Sequence, residues 1–239
     1  MESNVKNTES INVYEMFQRI VPTYDLLNHL FSFNIDKHWR KRMAELADVQ
    51  SAFSMLDVCT GTADVAIAFA RFNPALRVVG IDFSEGMLER GVKKVESAGL
   101  SDRIELKRQD ALDIDLPANS YDIVCVAFGL RNLPDRERGI FEMARMARGG
   151  GRVVILEFVP PRKTLFGRIY GWYLRNVMPA IGGIVSRYRP SYTYLYSSIS
   201  GFLEPDNVLE IMSRAGIDRP QAVSLSGGIA YIFHGTKKG

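Results

Sequence analysis

From Ser54 onward the chain alternates short apolar runs with amphipathic stretches, and no other feature restricts its fold as tightly. The runs are SMLDVCT, LRVVGIDF, RIELKRQD, YDIVCVAFG and GRVVILEF. ADVAIAFARF separates the first two, SEGMLERGVKKVESAGL the second and third, and DRERGIFEMARMAR the last two. A strand that is followed by a helix and then by another strand lies parallel to that second strand, and the helices cover the sheet. The runs are apolar almost throughout, as strands buried on both faces are. The pattern predicts an α/β fold with a doubly wound, mostly parallel sheet.

The flanks add to this core. Before residue 50, Val13, Met16, Phe17 and Ile20 recur at helical spacing, and YDLLNHLFSFNIDKHWRKRMAELA continues the pattern after Pro22. Beyond Phe158 the alternation stops for roughly forty residues, long for a connection. PDNVLEIMSRAG then reads as a helix with Pro205 near its start and Gly216 at its end. QAVSLS and IAYIFHGT close the chain around Gly227-Gly228, a two-glycine hairpin turn that predicts an antiparallel strand ending the sheet. At 239 residues the chain suits one domain. Its expected parts are an N-terminal helical lid over 1–50, a core over 51–158, an insertion over 159–204, and a C-terminal helix and hairpin over 205–239.

Composition excludes little. A net charge of +3 is no argument for nucleic acid. Cys59 and Cys125 sit inside apolar runs and read as small buried hydrophobes, not as a disulfide framework. The polar start MESNVKNTES has neither signal nor transit character, and no uncharged run reaches about 18 residues, so the expected setting is cytoplasmic.

LDVCTGTADVA places a glycine turn between the first strand and the next helix. Gly61 permits close backbone approach, and amides at the following helix start can meet polar groups of a ligand. The second strand ends at Asp82-Phe83, with Asp82 placed 21 positions after Gly61. A carboxylate there can accept from both hydroxyls of a ribose. Only one of the three small positions, Cys59, Gly61 and Ala63, is glycine, and a pyrophosphate needs more open amides than that. Asp57, ending the first strand, can address a cationic ligand. The combination favours S-adenosylmethionine, which carries adenosine and a sulfonium but no phosphate. RQDALD ends the third strand and sets Asp110 and Ala111 beside the adenine, an acceptor for its amine next to a small residue. A bare βα turn is the alternative for Gly61 taken alone.

The fourth run ends in AFGLRNLPD, which carries Arg131 and Asn132 to the carboxyl end of the sheet, where open α/β folds bind ligands. The alternative is a helix-entry loop with Arg131 in a surface ion pair.

These stretches resemble the ubiquinone/menaquinone biosynthesis C-methyltransferases, of the demethylmenaquinone methyltransferase type. YDLLNHLFSFNIDKHWR is similar to the family's first signature and EMARMARGGGRVVILEF to its second. LDVCTGTAD, GIDFSEGML and AFGLRNLPD stand between them in family order, and SYTYLYSSISGF and LSGGIAYIFHGTKK match the tail. The resemblance implies a class I, Rossmann-like S-adenosylmethionine-dependent methyltransferase fold. It implies methyl transfer to a ring carbon of a prenylated quinol, menaquinone-type or ubiquinone-type. Thr62, Asp82 and Asp110-Ala111 are its implied cofactor contacts. Ala127 stands where some members use a serine, and Leu27, Asn34 and Gly149 replace the usual Met, Gly and Pro. Arg131 is a poor proton acceptor. Its implied role is to stabilise a phenolate or polarise a water, with Asn132 orienting that water or a quinol oxygen. Tyr24 and Asp25 are the implied pocket residues of the lid. Asn28 and His38 are further candidates there, and His38 has the chemistry of a general base.

Between Phe158 and Leu203 there is no acidic residue, while Arg162, Lys163, Arg168, Arg175, Arg187 and Arg189 carry the chain's whole positive excess. Six of its ten tyrosines and Trp172 lie there too. Arginine interleaved with aromatics suits an anionic membrane surface. It also suits a helical cap on the sheet or a homodimer interface. A methyltransferase of RNA, and a non-catalytic S-adenosylmethionine-binding subunit, are the rival functional readings.

Overall fold

The computed structural model describes residues 35–161, 165–177 and 190–239. The first described helix, α1 (Ile35–Leu46), carries Trp39 and Met43 on its buried side. The alternation predicted from Ser54 follows as β1 (Ser54–Val58), α2 (Asp64–Phe72), β2 (Arg77–Asp82), α3 (Glu85–Ser97), β3 (Ile104–Arg108), β4 (Tyr121–Ala127), α4 (Arg136–Met146) and β5 (Ala147–Phe158). Then come α5 (Leu165–Trp172), running into a π-turn over Tyr173–Val177, α6 (Pro190–Ser200), α7 (Pro205–Arg214), β6 (Ile217–Leu225) and β7 (Ala230–Lys237).

Helix starts follow local chemistry. Ser84 caps α3 by accepting from the Met87 amide, and Asp135 caps α4 by accepting from the Arg138 amide at 2.9 Å. Pro205 opens α7, where its missing N–H costs nothing.

The seven strands form one sheet in the order β3-β2-β1-β4-β5-β7-β6. β1 lies parallel to both β2 and β4, so the chain leaves it in opposite directions on the two sides. That reversal opens a crevice at the carboxyl ends of β1, β2 and β4. Met55 and Leu56 on β1 are both fully buried, one in each of the two core clusters. The cluster holding Met55 also takes residues of α1, α2 and α3. The cluster holding Leu56 takes residues of α4 and α7.

The C-terminal strand β7 is antiparallel, as expected, but its place in the sheet is corrected. The antiparallel strand does not end the sheet. β7 pairs antiparallel with both β5 and β6, which leaves β6 at the edge, parallel to the rest. β5 begins at Ala147, four residues before the expected run GRVVILEF, and the glycines 149–151 form its bulged start. A Cβ on Gly151 would stand 2.9 Å from the Tyr121 carbonyl oxygen, so the bulge needs glycine there. β6 likewise begins at Ile217 and absorbs Pro220 in an irregularity between Asp218 and Gln221, which an edge strand tolerates.

Candidate active site

Three turns at the carboxyl ends of β1, β2 and β4 line one cleft that is open to solvent. Cys59 and Gly61 line it from the first turn, Asp82, Phe83, Ser84 and Met87 from the second, and Ala127, Phe128, Gly129, Asn132 and Leu133 from the third.

The first turn alternates in backbone hand. Cys59, Gly61 and Ala63 have φ of 55°, 56° and 66°. Only glycine takes that conformation freely, so Cys59 and Ala63 each store about 1 kcal/mol or more. The surroundings impose it. Thr60 N donates to the Ile81 carbonyl and Ala63 N to the Thr60 carbonyl, both at 2.9 Å. A Cβ on Gly61 would meet nothing within 4 Å, so this stretch of backbone is open to a ligand.

Asp57 lies beneath that turn and does not line the cleft. It is 1% exposed, Thr60 Oγ1 donates to its Oδ2 at 2.7 Å, and the Cys125 thiol lies 3.5 Å from its Oδ1. Its expected part in meeting a cationic ligand therefore becomes one of holding Thr60. Burial pushes its carboxyl up to about 7, and the charge of nearby Asp82 acts in the same direction. The folded protein thus holds a proton that the unfolded chain releases near pH 4. Stability from this group is present at low pH and falls as pH rises from about 4 to 7. Asp57→Asn keeps an acceptor for Thr60 and removes the titration. Wild type should lose several degrees of Tm relative to that variant between pH 5 and pH 8. Parallel Tm curves would refute the assignment.

Asp82 is also buried, at 7% exposure, but it faces the cleft. Its Oδ2 accepts from the Gly61 amide at 2.8 Å and its Oδ1 from the Ser84 amide at 2.9 Å. Burial raises its carboxyl, and the Ser84, Gly61 and Phe83 amides partly offset the rise. Each oxygen retains capacity for a further donor. Two such acceptors beside an open glycine turn fit the vicinal hydroxyls of a ribose.

The third turn depends on Phe128, a bulky residue at φ 57°. Its amide donates to the Leu156 carbonyl at 2.8 Å, and its ring packs on Phe158 at 4.6 Å and on Trp39 at 6.0 Å. Its carbonyl accepts from Arg131 Nη1 and from Asn132 Nδ2. The next residue is sterically confined. A Cβ on Gly129 would lie 2.5 Å from the Cys59 Cβ, so the first and third turns touch across the cleft floor.

Arg131 is in an ion pair, but not a surface one. Its Nη1 donates to Glu157 Oε1 at 2.8 Å, and its side chain is 9% exposed against 0% for Glu157. Glu157 Oε2 also accepts from the Arg131 amide at 3.1 Å, and Oε1 from the Phe158 amide at 2.9 Å. The Phe158 ring covers the guanidinium, 5.6 Å from its centroid. Asn132 is the member of the pair that lines the cleft.

Of the other predicted residues, Gly61, Phe83 and Ala127 line the cleft. Thr62 is buried behind it, and its Oγ1 accepts from Lys94 Nζ at 3.1 Å. Asp110 is exposed after β3 and caps its own turn by accepting from the Leu112 amide at 2.9 Å, while Ala111 packs into the core. Neither lies in the cleft wall. His38 is exposed on α1. Tyr24, Asp25 and Asn28 lie outside the described residues.

Ser84, Met87 and Phe128 in the cleft wall, and Glu157 against Arg131, were not expected from the sequence. Glu157 had a signal, a lone acid inside the apolar run GRVVILEF. Phe128 had none, because nothing local announces a left-handed phenylalanine.

A family profile described as the ubiE/COQ5 methyltransferase family matches residues 3–237. The chain belongs to that family. It is 39% identical over 226 residues to the ubiquinone/menaquinone biosynthesis C-methyltransferase UbiE of Geobacter sulfurreducens, covering 94% of this chain and 88% of the relative. It is 41% identical to the demethylmenaquinone methyltransferase of Deinococcus radiodurans, covering 95% and 92%. Among solved structures it is similar to the [4+2]-cyclase SpnF, with a TM-score of 0.70, 17% identity and 95% of each chain covered. That likeness concerns the fold alone. The strand order is that of the class I methyltransferase fold expected from the family.

Proposed function

We propose that the protein methylates a ring carbon of a prenylated quinol, with S-adenosylmethionine as methyl donor and demethylmenaquinol as acceptor. The observation that carries the reading is that Asp82 and Asn132 line the same cleft, one suited to a ribose and the other to a ring hydroxyl. Family membership supplies the reaction class.

Bound S-adenosylmethionine supplies an electrophilic methyl group. The chain's own residues hold and orient. Asp82 accepts from the ribose, and the open backbone at Gly61 admits the rest of the ligand. Asn132 meets the acceptor's ring hydroxyl. Arg131 holds the Phe128 carbonyl together with Asn132, and its charge, partly neutralised by Glu157, lowers the cost of negative charge on that hydroxyl. Phe128 and Leu133 keep the cleft wall apolar. Thr62, Asp110, Ala111, Tyr24 and Asp25 remain proposed contacts on family grounds.

The test is turnover. Purified protein with methyl-labelled S-adenosylmethionine should methylate demethylmenaquinol in detergent micelles. If it binds the donor yet methylates neither that quinol nor the ubiquinone-pathway counterpart, the reading fails.

A prenylated acceptor resides in a membrane, and the exposed Trp172 on α5 sits near exposed Arg168 and Arg175. Among the described residues no helix is long and apolar enough to cross a bilayer. Peripheral contact through this helix is part of the proposal. Trp172→Ser should reduce cosedimentation with anionic vesicles several-fold, and equal cosedimentation of both proteins would remove this contact from it.

A further inference from the structure

Asn132 is held from both ends, and one holder comes from the acid-free segment. Its Nδ2 donates to the Phe128 carbonyl at 3.3 Å. Its Oδ1 accepts from the Tyr194 hydroxyl at 3.1 Å, across 62 positions of chain. The orientation of the amide is thereby decided. Turning it over would set Oδ1 against the Phe128 carbonyl oxygen, two acceptors face to face. With both contacts made, Asn132 retains one N–H and one oxygen lone pair.

Tyr194 lies on α6, and that helix has its own anchorage. Ile199 is fully buried against Leu174 of the π-turn, with Phe158, Tyr170, Tyr173 and Leu195 around them. The segment thus docks on the end of β5, the strand that supplies Glu157 to Arg131. Tyr194 itself is half-buried, and desolvation raises its hydroxyl above the ordinary tyrosine value, while the charges of Arg131 and Arg136 act the other way. At neutral pH it is a donor, not a base.

We propose that Tyr194 is a positioning residue for methyl transfer: its hydroxyl locks the Asn132 amide so that the remaining N–H faces the methyl acceptor, which makes the docking of α6 a condition for turnover. This rests on the proposed quinol methylation, and its test must separate the two. Tyr194→Phe removes one oxygen and keeps the ring. The kcat for demethylmenaquinol should fall about tenfold, a loss of about 1.4 kcal/mol, while S-adenosylmethionine affinity changes less than twofold. Asn132→Ala should also lower kcat, and adding Tyr194→Phe to it should cost nothing more, since residues acting as a unit are non-additive. In ¹⁵N spectra of the full chain, Tyr194→Phe should shift the Asn132 side-chain NH₂ pair.

Multiplicative losses in the double variant would overturn the proposal. So would an unchanged kcat, or a donor affinity that falls in parallel with kcat. If wild type methylates no prenylated quinol, the functional reading fails instead. The Asn132 resonance then decides the positioning role by itself, and an unmoved NH₂ pair overturns it.

Discussion

Asp82→Ala weakens S-adenosylmethionine binding at least about tenfold in isothermal titration. A ribose held by one carboxylate engages charge-assisted hydrogen bonds, each contributing about 1.5–3 kcal/mol, and about 1.4 kcal/mol is a factor of ten in affinity. The variant also frees the Gly61 and Ser84 amides that Asp82 now holds at 2.8 and 2.9 Å. Comparison with a 2′-deoxy analogue of the donor isolates the ribose contribution. Wild type should bind the analogue more weakly than the parent ligand, and Asp82→Ala should scarcely distinguish the two. Unchanged affinity in the variant would remove Asp82 from the site.

Arg131→Ala should be the most disruptive single change at the cleft. It strands the Glu157 carboxylate at 0% exposure with only the Arg131 and Phe158 amides as donors. Breaking a buried ion pair by removing one partner costs about 3–5 kcal/mol. At the scale of a domain this size that lowers Tm by roughly 10 °C. Turnover should fall by more than donor affinity does, because the guanidinium supports Phe128 and Asn132, whereas Asp82 stands on another strand. Adding Glu157→Gln removes the stranded charge and should recover part of the Tm without restoring kcat. A double variant that regains both would reduce Arg131 to a purely structural role.

The strands were legible because burial on both faces leaves an unmistakable apolar run. Met55 and Leu56 are buried toward opposite clusters, and the sequence accordingly has no polar alternation there. The position of β7 was not legible. A hairpin signal at Gly227-Gly228 states that two strands pair, but not which of them takes the next place on β5. The bulge at 149–151 hid for a related reason, since three glycines carry no strand signal until the pairing of Tyr121 with Ala147 shows that the strand starts before them. That Asp82 and Asn132 come to line one cleft was legible from spacing and motif. Asp57 was misplaced because a strand-ending acid looks the same in sequence whether its carboxylate faces a ligand or, as here, Thr60 at 2.7 Å. Tyr194 escaped because its partner is 62 positions away and only the docking of α6 joins them.

The contact between Cys59 and Gly129 constrains the order in which this protein can diverge. A Cβ at residue 129 is blocked above all by the Cys59 Cβ at 2.5 Å, with the Val126 Cγ2 at 3.0 Å and the Cys59 Sγ at 3.1 Å as the next neighbours. Loss of the side chain at residue 59 is not blocked, and at φ 55° it relieves backbone strain. A lineage can therefore exchange Cys59 for glycine first and enlarge residue 129 afterwards, with the Val126 side chain giving by a few tenths of an ångström, whereas the reverse order passes through an intermediate whose cleft floor collides with itself. The two turns are 70 positions apart in the chain, yet they form one heritable unit with a one-way entrance.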